Sequence, residues 1–210
     1  ITSGALIRAA VPLSESAALE SGEAMLTSDT TVTWDGGKVR GRRVLRLGAI
    51  ELSSTPVRPD PVRARHVALE AVRSGGLDVA SLTKNGESLR RRLALAHRVF
   101  GDPWPDVSDE ALLARAEEWL DLDALAAGRG SDATSGLRGL LGWRESARLD
   151  EVVPETITVP SGSRIRIDYP EPGSDTSPVL AVKLQECFGW ADGPTVCDGR
   201  VRVVLHLLSP

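Results

Sequence analysis

Apolar positions change their spacing twice along this chain, and the changes divide it into three parts. In the first part the period is that of strands. Residues 5–13 form a short apolar run ending near Pro12, and Ser14 then caps a short helix carrying Glu15 in its first turn. Residues 30–35 are rich in β-branched side chains and include Trp34. Asp35-Gly36-Gly37 follows, a hairpin signal because its glycines accept positive φ, and a long returning strand is expected over 38–52. Two adjacent arginines, Arg42 and Arg43, interrupt the alternation of that strand and suggest a bulge.

From Pro61 the period lengthens to that of helices. A helix over 61–74 with Val62, Leu69 and Val72 on its apolar face stops at Gly75-Gly76. A second runs over 87–100 through Leu89, Leu93, Ala96 and Phe100, with Arg90, Arg91 and Arg92 alongside. A third starts at Ser108 and continues through Leu112, Leu113, Ala116 and Leu120. A fourth spans 134–149 through Leu137, Leu140, Leu141 and Arg144 despite three glycines.

Strict alternation then returns. In Arg164-Ile165-Arg166-Ile167-Asp168-Tyr169 the apolar members share one face and two guanidiniums the other, just after the turn residues Pro160-Ser161-Gly162. Residues 179–188 read as a strand passing into a helix. Asp198-Gly199 reads as a turn, and 201–208 as a strand with Val201, Val203, Leu205 and Leu207 on one face. The pattern predicts an α+β fold: a β-rich part over 1–55, a helical part over 56–150 and a β-rich part over 151–210. The boundaries fall in the proline-rich stretch 53–61 and near 151–154.

Composition narrows the function classes. The chain has 210 residues, 41% of them apolar, and a net charge of −4, so it does not coat nucleic acid by bulk electrostatics; any such contact uses local patches. Two cysteines, Cys187 and Cys197, and three scattered histidines make no metal cluster. The low cysteine usage fits reduced thiols and a cytoplasmic location. No apolar run approaches the roughly 20 residues of a membrane span. A start at Ile1 and an end at Ser209-Pro210 suggest a piece of a longer chain.

Catalytic signatures are weak. Gly36-Gly37-Lys38 lacks the spacing of a phosphate-binding loop, and Ser161-Gly162-Ser163 lacks the glycines flanking a nucleophile elbow. Glu117, Glu118, Asp121 and Asp123 read as a solvated acidic face, and His206 as a packed or exposed strand residue. The arginines carry more. Arg40, Arg42, Arg43 and Arg46 crowd one hairpin, Arg164 and Arg166 another strand, and together they would line a groove for phosphates. Trp119 and Trp143 read as core, whereas Trp104 and Trp190 are freer to stack on a base. Two readings compete with phosphate binding: the arginines pair with the acids of 106–123, or those acids form a protein-docking face.

Several motifs, taken in order, resemble the C-terminal part of HrpB-type bacterial DEAH-box ATP-dependent helicases. They are Trp104-Pro105-Asp106 with Ser108-Asp109-Glu110-Ala111-Leu112-Leu113 and Glu118-Trp119-Leu120; Leu137, Leu140-Leu141 and Trp143; the run from Thr158 to Ile165; Leu180 to Glu186 with Phe188-Gly189; and Gly199-Arg200-Val201 with Leu207 to Pro210. Trp34-Asp35, Arg42-Arg43 and Leu47-Gly48 extend the match. The resemblance implies a superfamily 2 helicase using ATP and magnesium on two RecA-like domains, with this chain as a non-catalytic accessory region. Residues 1–55 would be the remainder of an OB-fold and 151–210 a family-specific extension truncated at its C-terminus. The ATPase motifs are absent, so the fragment itself is expected to need no cofactor and to be inactive alone. Its expected partners are single-stranded RNA or DNA and the helicase core of the same polypeptide, with a second protein as the alternative and no membrane. The candidate nucleic-acid contacts are Arg40, Arg42, Arg43, Arg46, Arg164, Arg166, Lys183 and Trp190.

Overall fold

The computed structural model describes residue 12 and residues 14–130 and 133–209. The strand expected over 5–13 lies outside these apart from Pro12. The Ser14 hydroxyl accepts from the Ala17 amide at 3.3 Å at the start of α1 (Glu15–Ser21), as its capping role requires.

β1 (Leu26–Asp35), β2 (Lys38–Leu47) and β3 (Ile50–Val57) form an antiparallel meander with β2 in the centre. The first turn is the expected hairpin: Asp35 pairs with Lys38, and Gly36 and Gly37 have φ of +57° and +78°, the successive left-handed residues of a type I′ turn. The long strand expected over 38–52 is two strands. Gly48, at φ +59°, turns the chain so that Leu47 pairs with Ile50. The bulge is not at Arg42-Arg43, which stay in register with Thr31 and Thr30. It falls between Leu45 and Arg46, whose partners Ser53 and Glu51 skip Leu52. The proline-rich stretch remains strand as far as Val57, and β3 tolerates Pro56 because it pairs on one side only.

α2 (Pro61–Gly75) begins where Asp60 accepts from the Arg63 amide at 2.9 Å, with Pro61 at a position whose missing N–H costs nothing. It buries Ala64, Ala68, Leu69 and Val72, whereas Val62 is 73% exposed, against expectation. After α3 (Leu77–Ala80), Thr83 caps α4 (Lys84–Phe100), one turn earlier than the apolar spacing suggests.

The expected third helix is broken into α5 (Asp109–Ala114), α6 (Ala116–Trp119) and α7 (Leu122–Ala126). Arg115 leaves helical geometry, Leu120 is extended, and Asp121 recaps the chain by accepting from Ala124. Trp119 spans the break, its indole N–H donating to the Leu112 carbonyl at 2.9 Å. The fourth helix is likewise two, α8 (Thr134–Gly139) and α9 (Trp143–Val152).

The last part is built from short pairings. β4 (Thr156–Thr158) and β5 (Arg164–Arg166) form a hairpin, and β6 (Val179–Lys183) runs into a 3₁₀ turn over Leu184–Cys187. The strand expected over 201–208 divides at Val203. β8 (Val201–Arg202) pairs antiparallel with β7 (Thr195–Val196), and β9 (Val204–Leu208) pairs parallel with β6. At the division the Val203 amide donates to the Pro194 carbonyl at 2.9 Å and the Val204 amide to the Pro178 carbonyl at 2.8 Å, so successive residues bond to different segments. Among the described residues a buried cluster runs from Val39 of β2 through Val72, Leu93, Leu112, Leu137 and Leu149 to Leu180 and Val203.

Both cysteines are free thiols; Cys197 is fully buried and Cys187 partly so. Burial, reinforced by the neighbouring Asp198 carboxylate, pushes the Cys197 thiol up to about 11 from 9.0. A raised folded-state value stabilises the fold below the unfolded value, and that contribution is lost as pH rises from about 9 through about 11. Tyr169, also raised by burial, acts in the same direction. Iodoacetamide at neutral pH is therefore expected to alkylate Cys187 first and Cys197 only on unfolding, as read by mass spectrometry. The urea midpoint is expected to fall between pH 8 and 11, less steeply in Cys197→Ala.

Candidate nucleic-acid interface

β5 and the residues after it present the two-faced strand the alternation predicts. Ile167 and Tyr169 are buried and Ile165 half-buried, while Arg164, Arg166 and Asp168 are exposed. The apolar face is fastened by Tyr169, whose hydroxyl donates to the Pro154 carbonyl at 2.7 Å. On the outer face Arg164 donates to the Thr156 hydroxyl at 3.1 Å. Arg166 donates to the Ser88 hydroxyl at 2.9 Å and lies 3.2 Å from the Glu155 carboxylate. The preceding serines belong to a turn: Gly162, at φ +90°, donates to the Val159 carbonyl, and the Ser163 hydroxyl donates to Glu186.

The hairpin arginines do not form one cluster. Alternation along the regular register of β2 puts Arg40, Arg42 and Arg46 on one face and Arg43 on the other. Arg40 is paired with Asp35 at 2.8 Å and Arg46 with Glu51 at 3.7 Å, acids of their own meander rather than of the helical part. Arg42 donates only to the Ser54 hydroxyl at 3.3 Å among the described residues. The cavities lined by Arg164 and Arg166 are walled by α4, α8, α9 and β4 and include no residue of β2.

The acids of 106–123 are largely engaged elsewhere. Asp123 takes a two-pronged contact from Arg65 at 2.6 and 2.7 Å, Glu117 meets Arg73 and Glu118 meets Arg115. These guanidiniums hold the Asp123 and Glu118 carboxyls below the usual carboxylate range. Asp106 is lowered by the Ser108 amide that donates to it.

Apolar spacing alone passes over the arginine triplet of α4. Successive helical residues point about 100° apart, so three adjacent arginines reach three different neighbours. Arg90, almost fully buried, donates to the Val107 carbonyl at 3.0 Å and to Asp109. Arg92, also buried, donates to the Val153 carbonyl at 2.6 Å and to Asp150. Arg91 faces Glu87, Asp168 and Glu171. One sequence signal does point to this: Arg92 stands three residues from both Leu89 and Leu95, inside the apolar stripe.

Of the aromatic candidates, Trp104 is buried, its carbonyl accepting from His97 Nδ1 at 2.7 Å, and Trp190 is partly buried against the core. Trp143, expected inside, is 78% exposed at the start of α9, with the Arg144 guanidinium over its ring at 5.3 Å. Lys183 and His206 are exposed.

Gly36-Gly37-Lys38 is the β1–β2 turn, and among the described residues no group of three or more His, Cys, Asp or Glu could hold a metal ion. Among them also, no helix is long and apolar enough to cross a membrane.

Residues 116–210 match a family described as ATP-dependent helicase C-terminal. Over 195 residues the chain is 39% identical to the ATP-dependent RNA helicase HrpB of Escherichia coli (strain K12), covering 89% of this chain and 24% of that protein. Two crystal structures of E. coli HrpB, described as a DExH-box NTPase and as a DEAH/RHA helicase, superpose with TM-scores of 0.66 and 0.64 at 37% identity. They cover 91% and 88% of this chain, which spans 24% of each.

Proposed function

We propose, from the premise that this chain belongs to the HrpB-type helicases as a C-terminal region, that it is a non-catalytic accessory module positioning single-stranded nucleic acid for an ATP-dependent core in the same cytoplasmic polypeptide. ATP and magnesium act on that core. The meander β1–β3 is then the remaining part of an OB-type barrel, a fold that grips single strands on its sheet. The observation that carries the reading is that exposed arginines on strands keep their charge available. Arg42 and Arg164 hydrogen-bond to neutral hydroxyls alone among the described residues, and the strands under them are anchored by buried residues. Trp143 adds an exposed ring of the kind on which bases stack.

Fluorescence anisotropy with labelled single-stranded RNA and DNA over a salt series tests this. Arg164→Glu/Arg166→Glu and Arg42→Glu/Arg43→Glu are each expected to weaken binding by about tenfold and to flatten the salt slope by roughly 0.7 for every phosphate no longer neutralised. Wild-type affinity and slope in both doubles would overturn the reading. The alternative, an intramolecular or protein docking platform, draws no support from the acids of 106–123, which are mostly paired. It draws some from β9 and the end of the 3₁₀ turn that follows β6, where Leu207, Leu208 and Phe188 are 56%, 49% and 67% exposed.

A further inference from the structure

A cavity of about 510 Å³ opens between the first turns of α4 and the strand continuing from β5, within the size range of small-ligand sites. Three kinds of group meet there. Leu82, half-buried, provides apolar lining beside the almost fully buried Ile167 and Tyr169; Lys84, Arg91 and Arg166 provide cations; Glu87 and Asp168 provide carboxylates. Arg166 and Ser88 also line a second cavity of about 210 Å³, which reaches the exposed Arg138 at the end of α8. The two cavities share Arg166 and Ser88 as lining.

Two details define what the larger cavity takes. Arg91 Nε is buried without a hydrogen-bond partner, since Glu87 is 3.6 Å away, so an acceptor brought in by a ligand would satisfy it. Asp168 is 80% exposed and meets Arg91 only at 3.7 Å, which leaves its carboxylate oxygens free to accept. A ligand with an apolar ring, ring acceptors, an edge of paired donors and an attached phosphate matches this set. Among nucleobases guanine alone presents two adjacent N–H donors, N1–H and the N2 amino group, which one carboxylate accepts together. The others place a donor beside an acceptor.

We propose that this cavity binds one unstacked guanine nucleotide of a single strand, with its base edge on Asp168, its ring against Leu82, and its phosphates at Lys84 and Arg166. This deepens the nucleic-acid reading above and rests on it.

The test uses the full chain and two labelled 12-nucleotide RNAs, one of uridines only and one with a single central guanosine, read by fluorescence anisotropy with circular dichroism to verify folding. Wild type is expected to favour the guanosine strand by about tenfold, as a bidentate base contact does. Asp168→Asn, which replaces one acceptor by a donor, and Leu82→Trp, which fills the cavity, are each expected to bring that ratio to about one. Equal wild-type affinity for the two strands, or a preference that survives both substitutions, overturns the guanine site while leaving nucleic-acid binding in place. Failure to bind either strand overturns both.

Discussion

Gly136→Ala is expected to destabilise this chain by about 3 kcal/mol or more, with the sign opposite to helix propensity. Gly136 lies inside α8, where alanine is normally better than glycine by roughly 1 kcal/mol. A Cβ built there would stand 1.8 Å from the Trp119 carbonyl oxygen, 2.6 Å from its carbon and 2.9 Å from its Cα. All three are backbone atoms of α6, so no side chain can rotate away. Either α8 separates from α6 or the end of α6 distorts, and both expose Trp119 and Leu137, which are buried. Gly139, in the same helix, has nothing within 4 Å of its Cβ position. Gly139→Ala is expected to be neutral or to stabilise by about 0.5 kcal/mol. Urea unfolding of the two variants, followed by Trp fluorescence, checks the contrast; a small loss in Gly136→Ala would show that the helices do not approach this closely.

Arg92→Met is expected to cost about 2–3 kcal/mol, and Arg91→Met less than about 1 kcal/mol. Methionine keeps much of the apolar stem but removes the guanidinium, leaving the carbonyl of fully buried Val153 without its donor. The Asp150 carboxylate adds little to the loss, because it is 75% exposed and returns to water. Arg91 differs because its acids Asp168 and Glu171 are well exposed and its Nε already lacks a partner. Urea midpoints for the two variants, measured with an unchanged m-value, would separate a clamp from a surface pair. Equal losses would show that burial does not set the difference.

Much of the fold is legible in the chain itself. The hairpin at Gly36-Gly37, the caps at Ser14 and Ser108, α2 and the two-faced strand after Gly162 all follow from local steric and hydrogen-bonding preferences acting over a few residues. The candidate arginines Arg42, Arg164 and Arg166 stand out because charge on the outer face of a strand needs no partner to be recognised. Strand and helix lengths are less legible. Gly48 reads as an ordinary glycine until its positive φ turns the meander, and the break at Val203 falls where successive amides bond to Pro194 and to Pro178, segments remote in sequence.

Local sequence therefore determined the Gly36-Gly37 hairpin, the helix caps, and the apolar and charged faces of the strand after Gly162. Tertiary structure decided most of which charges are spent. It buried Arg90 and Arg92 against carbonyls 17 and 61 residues away, paired Arg65 with Asp123 across 58 residues, and turned Trp143 outward while enclosing Trp104. It also set Leu82 and Lys84 opposite Arg166 and Asp168 around one cavity. The physical reason is range. Steric and capping preferences act within a turn of chain, whereas burial and charge pairing depend on which distant surfaces the packed core brings together.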